Sequence, residues 1–401
     1  MRLAVILIFS AVLGLGGWHV AGSGGEVSGL DLRAVYDAHD WFKLREAIVG
    51  KEAPALYRGA VAAAFNKAGE AEEALHPLIN GTTTSKDADD ADDWLSYMFV
   101  RTGQYQKAAA EMDEGTPLRA TLRTLPDQSV SRSAPSSVSC RISQRRLYIP
   151  VTIQGTPVQF FIDSDANFSF MSESQARSLG LSIQESALKV HGAGGVQTGF
   201  RTAVADELTV GNVQLRHVAF MVMPDSEELF ARSETNERGA LGLPVLIAFR
   251  TLRYSKGVMD IAVPSARADA SEQNLCFDGL DPVARVDFEH QQLPFILDTG
   301  AAMTEFWPPF ARQFAEVVNS SGKASSTVEN SFGGKSRVPE KLLPELVLGL
   351  GGSEVHIRPA RVLLSQTTLN SQRYYGRMGI DALTSVHEVT IDFEALKLTV
   401  R

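Results

Sequence analysis

Two short segments of the chain carry the same acidic motif after the same kind of apolar run. Residues 158–166 read VQFFIDSDA and residues 293–301 read LPFILDTGA. An aspartate at the end of a buried strand is held rigidly, and two such aspartates brought together cannot both ionise easily. A pair of this kind shares one proton and can activate a water molecule. Asp163 and Asp298 are therefore the candidate catalytic residues.

The two motifs belong to a longer internal repeat. Each is preceded by residues that predict a strand, a short turn and a second strand. An apolar segment around Gly242 follows Asp163 by 242 − 163 = 79 residues, and one around Gly379 follows Asp298 by 379 − 298 = 81 residues. A duplicated unit of this length predicts two β-rich lobes with a cleft between them, where the aspartates meet.

On these residues the chain resembles the retropepsin-like aspartic peptidases, of the bacterial kind in which both lobes lie on one chain. The resemblance covers roughly residues 140–401 and is specific in the second lobe, where the run from Asp298 to Ala301 matches the family's D-T-G-A motif. It implies a mostly β, two-lobed pepsin/retropepsin-like barrel domain. It also implies hydrolysis of peptide bonds by Asp163, Asp298 and an activated water, with no cofactor and no metal.

Residues next to the aspartates have supporting roles in this scheme. In the family, the hydroxyls at the positions of Ser164 and Thr299 bond across to the opposite lobe and hold the two turns together. Gly300 is expected to be glycine because a β-carbon would crowd the catalytic centre. Paired glycines downstream of each aspartate predict hairpin flaps that open and close over a bound peptide. These glycines are Gly194, Gly195, Gly333 and Gly334.

Asp165 departs from this pattern, because it stands where the second copy has Gly300. It adds a third acidic group beside the pair, which is expected to raise the pKa of the catalytic carboxyls. Two functions of different classes therefore stay open. One is an active aspartic endopeptidase that acts on peptides or proteins. The other is a non-catalytic, peptide-binding pseudo-peptidase with a helical docking module.

Composition argues against other classes of function. The net charge is −9, and no basic patch interleaved with aromatic residues occurs, which argues against nucleic acid as a partner. No zinc-ligand spacing and no phosphate-binding glycine loop are present in the sequence.

The N-terminal residues predict export. Arg2 precedes an uncharged apolar run over residues 3–17, and small residues follow at 21–22. This pattern is typical of a signal peptide, here over residues 1–22. The run is shorter than the ~20 residues that a membrane span needs. We therefore expect a periplasmic or secreted protein without a stable membrane span.

The two cysteines lie at near-equivalent places in the repeat. Cys140 precedes Asp163 by 163 − 140 = 23 residues, and Cys276 precedes Asp298 by 298 − 276 = 22 residues. If the lobes face each other about a pseudo-dyad, the two positions could meet, and an oxidising compartment would allow a disulfide. Two unpaired buried thiols are the alternative.

Residues 29–115 differ in composition from the repeat, being rich in Ala, Glu, Leu and Lys with helical spacing of apolar residues. The phrases at 69–74 and 103–108 resemble tetratricopeptide helix pairs. This predicts a small all-α helical-repeat domain, which would either dock a protein partner or serve as a spacer or pro-region. The other predicted boundaries are a linker at 116–139, lobe 1 at 140–263, an interlobe linker at 264–275 and lobe 2 at 276–401.

Overall fold

The structure is a computed structural model that describes residues 31–80, 85–191, 197–231, 233–265, 269–331, 334–365 and 370–401. The predicted signal peptide at 1–22 and the predicted flap glycines Gly194, Gly195 and Gly333 lie outside these residues. The described chain begins with helices and continues as a mostly β body. The predicted fold class is confirmed.

The helices that precede the first strand pack against their neighbours in sequence. Side-chain oxygens of Asp31 and Ser85 accept hydrogen bonds from the free backbone N–H groups at the start of the first and fifth helices. Small apolar residues on the third helix are buried, which allows close approach of the fourth. The bounds are α1 Leu32–Asp37, α2 Trp41–Ile48, α3 Ala55–Ala64, α4 Ala68–Ile79, α5 Lys86–Arg101, α6 Tyr105–Glu111 and α7 Pro117–Leu122.

Lobe 1 follows, together with two strands that precede it. The elements are β1 Ser129–Arg132, β2 Ser136–Ser139, β3 Arg141–Ser143, β4 Arg146–Ile153, β5 Thr156–Ile162, β6 Ser169–Ser172, α8 Glu173–Ser178, β7 Ile183–His191, β8 Gln197–Val210, β9 Val213–Met223, β10 Gly239–Leu241, α9 Leu243–Ala248, β11 Thr251–Ser255 and β12 Val258–Ile261. Among the described residues, one sheet has the strand order β1-β9-β6-β10-β5-β4-β8-β7, with β3 paired to β4.

Lobe 2 repeats this plan. The elements are β13 Leu275–Asp278, β14 Asp281–Phe288, β15 Gln291–Leu297, β16 Glu305–Phe306, α10 Pro308–Gln313, α11 Ala315–Ser321, β17 Lys323–Ser331, β18 Gly334–Leu343, β19 Leu346–Leu350, β20 Ser353–Ile357, β21 Ala360–Leu363, α12 Asn370–Arg373, β22 Gly376–Met378, α13 Ile380–Thr384, β23 Val389–Asp392 and β24 Lys397–Val400. Its described strands have the order β17-β18-β21-β16-β22-β15-β14-β19-β20, with β13 paired to β14.

The centres of the two lobes have the same topology. β10 runs parallel to β5 and antiparallel to β6, and β22 runs parallel to β15 and antiparallel to β16. The strand that feeds each aspartate follows a two-residue turn with positive φ, formed by Gln154 and Gly155 in lobe 1 and by Glu289 and His290 in lobe 2. Turns of this hand match the twist of the strands that they join. The internal repeat in the sequence is therefore a structural duplication.

A separate sheet joins the two lobes. Its strand order is β2-β12-β11-β23-β24 within the described chain. β11 comes from the end of lobe 1 and pairs with β23 from the end of lobe 2, with Leu252 opposite Ile391. Because backbone hydrogen bonds cross from one lobe to the other here, this sheet fixes how the lobes, and hence their aspartates, face each other.

The helices pack on both lobes. Buried apolar side chains of the helices and of the two lobes form one continuous core. At the end of α5, Arg101 is fully buried and donates a hydrogen bond of 2.6 Å to the carbonyl oxygen of Gly279 in lobe 2. The ring of Tyr105 in α6 stacks on Phe168 of lobe 1, with 5.5 Å between the centroids. The helical region is thus part of the same folded body.

Residues 116–139, predicted as a linker, contain α7, β1 and β2. β1 extends the lobe 1 sheet, where Val130 pairs with Leu215, and β2 adds an edge to the sheet that joins the lobes. Their side chains are mostly exposed, so their polar composition does not differ from that of a loop. Edge strands tolerate such residues because one side of their backbone faces solvent.

Both cysteines are free thiols, so the predicted disulfide is wrong. Cys140 follows β2, and its backbone N–H donates to the carbonyl oxygen of Gly257 at 2.8 Å. Cys276 is buried in β13, close to Arg45 of the helical region. Equal offsets in two copies do not by themselves bring two residues together, and here Cys140 lies beside Gly257 of lobe 1 whereas Cys276 lies beside the helical region.

A truncated chain that begins at Ser136 is expected to be unstable. It lacks β1, and it exposes the apolar surfaces of both lobes that α1–α7 cover. We expect the melting temperature to fall by at least about 10 °C, or the protein to aggregate, because several buried contacts are lost together. A chain that begins at Asp31 is the control. A shortened protein that melts cooperatively at the temperature of the control would contradict this expectation.

Candidate active site

Each candidate catalytic aspartate stands at the end of a central strand. Asp163 follows β5 and Asp298 follows β15, and both are 3% exposed. The backbone N–H of Asp163 donates to the carbonyl oxygen of Leu241, and that of Asp298 donates to Met378, each at 3.0 Å. The neighbouring strand of each lobe therefore fixes its aspartate in the same way.

The two catalytic turns are hydrogen-bonded to each other. The Ser164 hydroxyl donates to the carbonyl oxygen of Leu297 at 2.6 Å and accepts a bond of 3.0 Å from the N–H of Thr299. The Thr299 hydroxyl accepts a bond of 2.9 Å from the N–H of Ser164. Both side chains are fully buried. Bonds between buried groups hold the two turns, and with them the two lobes, in one register.

Gly300 is glycine because the opposite carboxyl occupies the space of a side chain. A β-carbon at this position would lie 2.3 Å from Cγ of Asp163. Gly300 does not have a positive φ, so the constraint is steric rather than conformational. The same close contact shows that the Asp163 carboxyl of lobe 1 reaches the catalytic turn of lobe 2, as the motif pair predicts.

The two carboxyls are held unequally. Oδ1 of Asp298 accepts hydrogen bonds of 2.9 Å from the backbone N–H groups of Gly300 and Ala301. Oδ1 of Asp163 accepts a longer bond of 3.3 Å from the N–H of Asp165. Backbone donors favour the ionised form of a carboxyl. The shorter bonds at Asp298 thus favour a negative charge there.

The pKa values of the pair differ in the same direction. Burial, and then the charge of Asp298, raise the pKa of Asp163 to about 8, although Arg146 and the backbone N–H groups of Asp165 and Ala166 oppose the rise. Burial also raises the pKa of Asp298, but Arg377 and the two backbone donors oppose that rise. The shorter amide bonds and the ion pair of Asp298 with Arg377 at 3.4 Å therefore favour the ionised form of Asp298 over that of Asp163.

Arg377 is the first member of a chain of ion pairs that starts at the catalytic carboxyl. Its Nη1 lies 3.4 Å from Oδ2 of Asp298, and its Nη2 lies 2.9 Å from Oε2 of Glu305. Arg361 then joins Glu305 at 3.7 Å and Glu340 at 2.9 Å. Because Glu340 belongs to β18, the chain of ion pairs runs from the catalytic centre to the second hairpin.

Asp165 lies beside Asp163 and Asp298, as the sequence predicts, but it displaces neither of them. Its backbone N–H is one of two backbone donors to the Asp163 carboxyl, and Ser164 keeps its bonds to the opposite turn. The side chain faces Asp281 of lobe 2, to whose carboxyl it makes a hydrogen bond. Burial, and then the charges of Asp298, Asp281 and Asp163, raise the pKa of Asp165 well above its ordinary value.

Two hairpins stand where flaps are predicted. β7 and β8 form one, and β17 and β18 form the other, with Ser331 paired to Gly334 at the start of β18. Gly242 and Gly379 lie behind the site, where a β-carbon would come within 2.4 and 2.5 Å of neighbouring backbone. Among the described residues, no group of three or more His, Cys, Asp or Glu side chains is arranged to hold a metal ion.

Three charged neighbours of the site could have been predicted by comparing the two copies in the sequence. Arg377 stands two residues before Gly379, whereas the first copy has Ala240 two residues before Gly242. Arg146, whose charge lowers the pKa of Asp163, precedes that residue by 163 − 146 = 17 positions. Asp281 precedes Asp298 by 298 − 281 = 17 positions. A comparison of charged residues between the two copies would have indicated all three.

Replacement of Gly300 by alanine is expected to abolish function, because the added carbon would overlap the Asp163 carboxyl. We expect peptide cleavage to fall at least about 100-fold, since small misplacements of catalytic groups have effects of that size. Gly69→Ala is the matched control, because a β-carbon at Gly69 would meet nothing within 4 Å. Cleavage by Gly300→Ala at the rate of the control would contradict the close contact of the two turns.

Comparisons with known proteins place the chain near the aspartyl proteases. Residues 149–245, most of the first lobe, match the aspartyl protease family model, although this lobe carries Asp165. No curated protein gives a significant sequence match. Similar solved structures include a retropepsin-like aspartic protease from Rickettsia conorii, with 13% identity, a TM-score of 0.24, and coverage of 34% of this chain and 95% of that one.

A second similar solved structure is an aspartic proteinase from Irpex lacteus, with 10% identity and a TM-score of 0.38. The matched region covers 67% of this chain and 97% of the Irpex lacteus chain. Both similarities are too weak to establish a relationship, and the strand topology of the two lobes is the firmer ground for the fold. Through its first lobe, the chain is similar in sequence to the aspartyl proteases.

Proposed function

We propose that this protein is an exported aspartic endopeptidase, periplasmic or secreted, that hydrolyses peptide bonds with the Asp163–Asp298 pair. The observation that carries the proposal is the set of reciprocal hydrogen bonds between Ser164 and Thr299, which hold the two aspartate turns against each other. The export part rests on the sequence of residues 1–22. Among the described residues, no helix is long and apolar enough to span a bilayer.

The unequal surroundings of the two carboxyls assign their roles. Ionised Asp298 acts as the general base and takes a proton from a water molecule, whose oxygen attacks the carbon of the scissile carbonyl. Protonated Asp163 donates its proton to the carbonyl oxygen, which gives a neutral tetrahedral intermediate. As the C–N bond breaks, Asp298 gives its proton to the leaving nitrogen, and Asp163 takes a proton from a hydroxyl of the intermediate. A carboxylic acid and an amine result, and the pair returns to its starting state.

Active catalysis is favoured over the pseudo-peptidase alternative. Asp165 leaves the bonds between the turns in place, and its side chain points to Asp281 instead of replacing a catalytic group. The substrate proposed is a peptide or protein segment lying between the two hairpins, and the mechanism needs no cofactor. A tetratricopeptide-like docking role for the helical region remains a prediction, and the buried faces of these helices are used in packing against the lobes.

Loss of the general base is expected to abolish cleavage. Asp298→Asn removes both the base and the shared proton, so hydrolysis of a diverse peptide mixture should fall by at least about 1,000-fold across acidic to neutral pH. The control is Asp287→Asn, which changes an exposed aspartate of β14 in the same lobe. Cleavage that survives in Asp298→Asn would refute the mechanism. An inactive wild type that still binds a transition-state inhibitor would favour the pseudo-peptidase.

Removal of Arg377 is expected to shift the pH dependence. Arg377 lowers the pKa of Asp298, so Arg377→Met should raise that pKa, and the general base should then ionise only at higher pH. The acid limb of kcat/KM is expected to move upward by about one pH unit. Arg216→Met in the lobe 1 sheet is the control, since Arg216 pairs with Glu207. An unchanged acid limb in Arg377→Met would show that Arg377 does not set the charge of Asp298.

A further inference from the structure

A short turn connects the helical region with the catalytic centre. It comprises residues 278–281 between β13 and β14, and we refer to it as the 278–281 turn. Its first residue contacts the helices, and its last residue contacts the catalytic turn of lobe 1. The mechanism proposed above uses neither of these two aspartates, although both are ionisable groups inside the protein.

The helical region holds the turn at two points. Nδ1 of His39 lies 2.7 Å from Oδ1 of Asp278, and Nε1 of Trp41 donates to the same oxygen at 3.0 Å. Arg101 donates to the carbonyl oxygen of Gly279 at 2.6 Å. A buried group that loses its partner is left unsatisfied, which is unfavourable, so these bonds fix the turn.

Asp278 is a fixed anion in this arrangement. Its second oxygen, Oδ2, accepts a hydrogen bond from the Tyr374 hydroxyl and lies 3.4 Å from Nη1 of Arg373. Burial alone would raise the pKa of Asp278, but His39, Arg373 and Tyr374 together hold it well below its usual range. The turn is therefore anchored by a permanent charge at its helical end.

The other end of the turn meets the catalytic turn of lobe 1. Oδ2 of Asp281 accepts a bond of 2.8 Å from Asn370, and the carboxyl also hydrogen-bonds that of Asp165. The buried Oδ1 of Asp165 receives no bond from an amide, hydroxyl or basic group of the described residues. Two carboxyls can bond only if one of them carries a proton. The contact is therefore an acid–carboxylate pair near neutral pH.

We infer that Asp281 is a positioning residue for the catalytic turn of lobe 1. It shares a proton with Asp165, and thereby keeps the Asp165 side chain uncharged. The helical region supports this contact through the 278–281 turn. The effect of the contact on catalysis rests on the proposed function, whereas the shared proton does not.

The shared proton explains how an aspartate is tolerated at the position where the second copy has Gly300. An ionised Asp165 would place a further negative charge beside the general base and raise the pKa of Asp298. A protonated Asp165 adds no charge, and the negative charge of the pair then lies on Asp281. The charged or titratable groups that face the two carboxyls are Asp278, Arg373, Tyr97 and Tyr374 around Asp281, and Asp163, Asp298 and Arg377 around Asp165.

Thermal melting of four full-length proteins tests the shared proton without any need for turnover. These are the wild type, Asp281→Ala, Asp165→Gly and the double variant, each at pH 4 and pH 7. Burial, and then Asp278, raise the pKa of Asp281 to about 6, so the stability that its protonated form contributes is lost as pH rises from about 4 through 6. At pH 7 the contact is acid–carboxylate, which is stronger than the acid–acid contact at pH 4.

The effects of the two substitutions on melting temperature should therefore not add. We expect the change in melting temperature of the double variant to differ from the sum of the two single changes by about 2–4 °C at pH 7, and by less at pH 4. A difference of this size corresponds to one buried contact in a large domain. Asp287→Ala on the same strand is the control and should have equal effects in both backgrounds. If Asp281→Ala fails to fold, Asp281→Asn, which keeps the shape of the side chain, takes its place. Additive effects at both pH values would overturn the inference.

The pH dependence of kcat/KM tests the positioning role. Asp281→Ala should allow Asp165 to ionise, and should move the acid limb upward by roughly half to one pH unit. In the Asp165→Gly background the same substitution should leave the acid limb in place. An equal shift in both backgrounds would overturn the positioning role. A wild type without turnover would count against the proposed function, and the melting cycle would then decide the shared proton alone.

Discussion

The reciprocal hydrogen bonds between Ser164 and Thr299 are the constraint on which the rest of the site depends. Each residue bonds backbone of the opposite lobe, so neither catalytic turn has its observed position without the other. The central strands bring each aspartate to this point, and the sheet formed by β2, β12, β11, β23 and β24 sets the orientation of the lobes. Gly300 completes the contact, because only a residue without a side chain leaves room for the Asp163 carboxyl.

Duplication gives the site its symmetry, and charged neighbours break that symmetry. The two aspartates have equivalent backbone bonds, yet the amide bonds to the Asp298 carboxyl are shorter, and Arg377 forms an ion pair with that carboxyl at 3.4 Å. In a symmetric pair, neither carboxyl would be the preferred site of the shared proton. In the proposed mechanism the two lobes have distinct chemical roles, which is an arrangement that a single chain allows because each copy can change independently.

The sequence predicts the features that depend on local pattern. The duplicated motif, the strand–turn–strand units, the hydroxyls of Ser164 and Thr299 and the steric need for Gly300 all follow from residue type and spacing. It does not reveal features that depend on contacts between distant segments. β1 and β2 have the composition of a linker and become strands only because sheet edges accept them. Likewise, the bond between Asp281 and Asp165 and the packing of Arg101 on lobe 2 arise from tertiary structure. The disulfide prediction failed for the same reason, since equal offsets in two copies do not place residues near the axis.

The account's central claim is that Asp163 and Asp298 form one coupled acid–base pair. Carbon-13 NMR of the protein labelled at the aspartate side-chain carboxyl measures this directly, with Asp163→Asn and Asp298→Asn used to assign the two signals. The account predicts that the Asp163 signal titrates with an apparent pKa near 8 and that the titration moves down when Asp298 is replaced. Two independent signals, both with ordinary values near 4 and unaffected by the partner's replacement, would contradict it.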